Sequence, residues 1–133
     1  MSGAHYPSAR TLWTLAGNGV STTLSGAGSA NSGSINITDV ADLWLAVYVA
    51  GTSTGTTPTL DVQIDVQDPA GNWFAQVAKT VQLTSSPNFT NTSCGLHIGG
   101  LGSMVLPNIC RVVWTVGGTN PVFPQAAISL IGR

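Results

Sequence analysis

A chain of 133 residues, 43% of them hydrophobic, is the length of one domain and apolar enough to build a core without staples. Charged residues make up only 7%, against about 25% in a typical soluble domain, and the four basic side chains (Arg10, Lys79, Arg111, Arg133) are scattered, which argues against nucleic acid as a partner. No apolar run approaches the ~20 residues of a membrane span, and the N-terminus lacks the apolar stretch of a signal peptide, so synthesis in the cytoplasm is expected, with no membrane partner and Cys94 and Cys110 reduced.

Residues 1–10, broken by Pro7, read as an extended N-terminal arm, and residues 11–133 as a single domain. Residues 11–16 and 20–24 read as short strands around the turn Gly17-Asn18-Gly19. The small, polar run 25–34 reads as a flexible loop or as the long overhead connection of a Greek key, and 35–37 as a brief strand. Residues 41–50 are apolar on both parities, with Leu43, Leu45, Val47 and Val49 on one face and Trp44, Ala46, Tyr48 and Ala50 on the other; such a strand is central or covered on both sides. Residues 51–58 read as a loop.

The clearest strand is 59–67, where Leu60, Val62, Ile64 and Val66 alternate with Asp61, Gln63, Asp65 and Gln67, giving a dry face and a wet face. Asp68-Pro69-Ala70-Gly71-Asn72 is a tight turn. Strand character resumes at 73–74 and 76–83, 85–91 reads as a polar loop, 92–98 as a strand and 99–103 as a glycine-rich loop. Residues 108–116 form a strand with Cys110, Val112, Trp114 and Val116 on one face, 117–121 a turn, and 122–131 the last strand. About eight strands with turn signals every 8 to 12 residues predict an all-β, antiparallel β-sandwich of jelly-roll type.

The acids form no catalytic pair. Asp61 and Asp65 share a parity but lie four residues apart, roughly 13 Å at strand rise, beyond the about 5–9.5 Å of a glycosidase pair, and read as a solvated face. Asp39 and Asp42 read as turn-making and edge protection. His5 and His97 have no partners at zinc-ligand spacing. No catalytic residue, metal or cofactor is therefore expected. Trp114 reads as core, whereas Trp44 and Tyr48 share a face that suits either a subunit interface or a platform for stacking sugar rings. The low charge allows two readings: Ser, Thr, Asn and Gln keep the surface wet, or much of it packs against other subunits.

Two segments resemble a known family. They are residues 51–68 (GTSTGTTPTLDVQIDVQD) leading into Gly71-Asn72-Trp73, and residues 111–123 (RVVWTVGGTNPVF) with the closing ISLIGR at 128–133. Together they resemble small tailed-bacteriophage virion proteins of the head-decoration or minor structural kind. The resemblance implies a non-enzymatic cement protein on the outer capsid surface of the virion, bound to the major capsid protein and to itself, commonly as a homotrimer. Tyr6, Arg10 and Trp13 are then expected as anchors of the arm, and Trp44 and Tyr48 as capsid or subunit contacts. The alternative is a carbohydrate- or receptor-binding module of a phage tail.

Overall fold

The structure, a computed structural model, describes residues 8–96 and 105–133. Tyr6, the two histidines and the glycine-rich segment 99–103 lie outside these residues. Strands form wherever the predicted alternation is strongest, and no helix occurs among the described residues. The strands are β1 (Arg10–Thr14), β2 (Thr22–Ser25), β3 (Gly28–Asn31), β4 (Ile35–Asn36), β5 (Asp42–Val49), β6 (Thr54–Gln67), β7 (Trp73–Lys79), β8 (Asn88–Gly95) and β9 (Ile109–Gly132). Every pairing is antiparallel, and the sheet runs β7-β6-β9-β5-β8, so the all-β antiparallel class expected from the turn spacing is present.

The long strand β9 organises this sheet. Its first part pairs with β6, from Gln67↔Ile109 to Leu60↔Val116, and its last part with β5, from Val49↔Ala126 to Leu43↔Gly132. Its opposite edge carries β4, β3, β2 and β1 in turn. Because one strand serves both halves, the sheet curls until its two ends, β7 and β8, approach each other. The inner face encloses one core: Leu43, Leu45, Val47 and Val49 of β5, Leu60, Val62, Ile64 and Val66 of β6, and Cys110, Val112, Phe123, Ile128 and Leu130 of β9. Burying each of these larger side chains is worth about 1.5–3 kcal/mol, so the alternation seen in the sequence is the main source of stability.

Several predicted boundaries are corrected. Residues 117–121 are no turn: β9 bends there and stays paired with β6 through Thr56↔Thr119 and Thr54↔Val122. The predicted loop 51–58 supplies that pairing, since β6 begins at Thr54 and crosses two register shifts before Thr59. Gly118 (φ 108°) and Asn120 (φ 48°) take the left-handed backbone of these bulges, and a Cβ on Gly118 would lie 2.6 Å from the Thr57 carbonyl oxygen. The predicted loop 25–34 contains β3, which pairs with Val113–Val116 of β9, and β8 starts at Asn88, inside the predicted loop 85–91. The predicted strand 76–83 ends at Lys79, and Leu83 rejoins β6 through a single bridge to Leu60.

The wet face of β6 is also corrected. Asp65 is buried, and Arg111, its cross-strand partner on β9, donates from Nε to Asp65 Oδ2 at 3.1 Å. Gln63 Nε2 (2.8 Å) and the backbone N–H of Gln76 (3.0 Å) donate to Oδ1. Gln76 reaches inward because β7 bulges there, with φ 58° and a register shift opposite Ile64–Val66. The Arg111 guanidinium lies 4.2 Å above the Trp73 ring, which shields the pair from water.

Candidate functional site

β5 divides its side chains cleanly. Its odd-numbered residues enter the core, and from Trp44 on its even-numbered ones face outward, leaving Trp44 45% and Tyr48 50% exposed. β8 pairs with β5 without a register shift, which sets Phe89 opposite Tyr48, Asn91 opposite Ala46 and Ser93 opposite Trp44. On the other side, β9 sets Ala127 opposite Tyr48 and Ser129 opposite Ala46. Large side chains thus flank small ones, and the outer face of β8-β5-β9 forms a trough of about 230 Å³. Ala46, Ala127 and Ser129 make its floor; Trp44, Tyr48 and Phe89 make its walls. Phe89 is 70% exposed, and Trp44 Nε1 donates to Asn91 Oδ1 at 3.4 Å, which orients the indole.

A larger depression, about 420 Å³, lies at the β6–β7 turn and is lined by Gln67, Asp68, Pro69 and Pro107 among others. Its one charged group holds the turn together: Asp68 accepts from Asn72 Nδ2 and from the backbone N–H groups of Ala70 and Asn72. The Asn72 side chain, followed by these backbone donors, holds its carboxyl below the usual carboxylate range. The aromatic trough is the better contact surface, because interface centres are rich in Trp, Tyr and Phe and poor in charge.

All four basic residues are engaged within the fold. Arg10 pairs with Asp39 (2.8 Å), Lys79 with Asp61 (3.4 Å), Arg111 with Asp65 (3.1 Å) and Arg133 with Asp42 (3.1 Å). Asp61 and Asp65 therefore have separate basic partners. Asp42, expected as edge protection, is buried at the start of β5 and ties down the C-terminal Arg133. No cluster of three His, Cys, Asp or Glu side chains suited to a metal occurs among the described residues. Burial pushes the Cys94 thiol up to about 11, with Asp42 adding, and Cys110 up to about 12, with Cys94 adding. Both stay protonated, and both are free cysteines.

The expected contact residues separate into three groups. Trp44 and Tyr48 lie together on the outer face. Arg10 begins β1 and is held by Asp39, while Trp13 stacks on Trp114 at 5.7 Å between centroids, partly buried against the core. Tyr6 lies outside the described residues. Sequence reasoning missed Phe89 and Asn91, which fall in a segment read as loop; the signal was the alternation of Phe89, Asn91 and Ser93 with threonines. Comparison with protein-family models, curated proteins and solved structures finds no match to the chain.

Proposed function

We propose that this chain is a structural protein of a phage virion, a decoration protein that binds the major capsid protein on the outer shell and associates with copies of itself. The observation that carries this reading is the aromatic, uncharged face of β8-β5-β9 in a chain whose four cations are neutralised internally. Docking such a face strips water from little free charge, so aromatic burial is not offset by desolvation. On a symmetric shell, several weak contacts per oligomer add through effective concentration. The resemblance of residues 51–68, 71–73, 111–123 and 128–133 to small tailed-phage virion proteins of the head-decoration or minor structural kind supports the same reading. Because Arg10 and Trp13 are engaged within the fold, the contact is assigned to Trp44, Tyr48 and Phe89. The test is co-sedimentation with purified capsids of the phage that encodes the chain: wild-type protein sediments with them, and Trp44→Ala weakens binding tenfold or more. Undiminished binding by Trp44→Ala and Tyr48→Ala would remove the assignment.

A second reading places the same trough on a phage tail as a site for neutral sugars. It is favoured by exposed rings beside the hydroxyl of Ser129 and the amide of Asn91, the mixture of stacking surface and hydrogen-bonding groups that a sugar uses. Glycan-array binding lost on Tyr48→Ala, without capsid binding, would select it.

A further inference from the structure

Among the described residues β8 ends the sheet, paired with β5 alone, and β7 comes near it without pairing. The hydrogen-bond phase shows which of its groups face outward. Asp42 exchanges both backbone bonds with Arg133 (3.0 and 3.1 Å), so the even-numbered residues of β5 bond to β9 and the odd-numbered ones to β8. The bond from Leu96 N–H to the Ala41 carbonyl (2.9 Å) agrees with that phase. In β8, the even-numbered residues therefore bond to β5, and Phe89, Asn91 and Ser93 turn their N–H and C=O groups away from it. The Phe89 N–H is capped by its neighbour, Asn88 Oδ1, at 2.9 Å.

Proteins guard such edges with charge, proline, bulges or shortness. β7, the other end of the path, carries Lys79 and the Gln76 bulge. β8 carries none of these over its eight residues: its sequence NFTNTSCG is uncharged and free of proline, and its pairing with β5 is unbroken.

We propose that β8 pairs with β8 of a second copy, antiparallel across a two-fold axis at Asn91, so that each copy's Phe89 lies opposite the other's Ser93. A second copy fits this edge for two reasons. An isologous contact needs a self-complementary strand, and an uncharged strand with an amide at its centre is one. The formal net charge of −1 and the internally paired cations also leave little repulsion between copies. Pairing brings the two aromatic troughs onto one continuous face, each copy's Phe89 in line with the other's Trp44 across the small Ser93. This inference rests on the self-association part of the function proposed above, and it specifies a dimer. A trimer requires a heterologous contact.

The test is mass in solution by sedimentation velocity across the micromolar range, for wild type, Asn91→Lys, Asn91→Asp and their equimolar mixture. Asn91 is exposed, so unchanged melting of both variants confirms folding. Wild type is expected as a dimer. Each variant alone places like charges face to face and weakens association about tenfold or more, and the mixture restores it as a Lys–Asp heterodimer. A monomeric or trimeric wild type, or variants that associate as before, would overturn the pairing, as would a mixture that stays dissociated. The two proposals fail separately: a wild-type monomer that still coats capsids removes the pairing alone, whereas a β8-paired dimer that ignores capsids removes the decoration reading alone.

Discussion

Replacing Arg111 with methionine isolates the ion pair in which both partners are most deeply buried. The Asp65 side chain is 2% exposed and that of Arg111 26%. Arg111→Met keeps most of the aliphatic stem, removes the counter-charge, and loses the contact over Trp73. Leaving a buried charge without its partner costs about 3–5 kcal/mol. The lower end applies, about 3 kcal/mol, because the carboxylate keeps the Gln63 and Gln76 donors. For a domain of this size that is a fall of about 10 °C in Tm. Asp65→Asn costs about 2 kcal/mol, because its amide turns a donor toward Arg111. The double variant costs less than the sum of the two by about 1 kcal/mol or more, since each change removes the reason for the other. Urea unfolding of the four proteins of this cycle measures all three quantities. A loss under about 1 kcal/mol for Arg111→Met, or strict additivity, would refute the view that this pair ties β6, β7 and β9 together.

Gly118→Ala adds a Cβ 2.6 Å from the Thr57 oxygen at φ 108°, and is expected to cost about 2–3 kcal/mol in urea unfolding. Gly19→Ala, at φ 71° with open space around it, is expected to cost only about 1 kcal/mol. The buried thiols give a pH signature. Unfolded cysteines ionise near 9.0 and the folded ones at about 11 and 12, so the unfolded state loses its protons first as pH rises. Their contribution to stability is complete below about pH 9 and is lost as pH climbs through the folded values. The Cys94→Ala/Cys110→Ala protein should show a flatter stability profile between these limits. At pH 8 the native thiols should alkylate about two orders of magnitude more slowly than in urea. Phe89→Ser, on the exposed face, should change unfolding by less than about 0.5 kcal/mol while weakening capsid binding, as measured by urea titration and co-sedimentation.

The elements legible in the sequence were those in which one strand face is wholly core. Leu60 to Val66 and Leu43 to Val49 announce themselves because their burial requires strict alternation. β8 hides because its inward residues before Cys94 are Thr90 and Thr92, so apolar periodicity is absent even though the backbone pairs fully. β9 hides its continuity because Gly117-Gly118-Thr119-Asn120-Pro121 has the composition of a reversal. Only pairing with Thr54 and Thr56, some 65 residues earlier, makes it a bulged strand. The charge pairs were equally out of reach. Asp65 meets Arg111 across 46 residues and Asp42 meets Arg133 across 91, and parity alone placed Asp65 in water. Of the contact surface, Trp44 and Tyr48 were readable from β5. Phe89 and Asn91 joined them only once the β5–β8 register was known.

The most direct test is capsid occupancy measured at low and high salt. A contact made by the Trp44, Tyr48 and Phe89 rings, with all four cations paired to carboxylates of the same chain, predicts saturation that persists at high ionic strength and is lost in a Trp44→Ala/Tyr48→Ala protein. Occupancy that collapses with salt while ignoring that double substitution would contradict it.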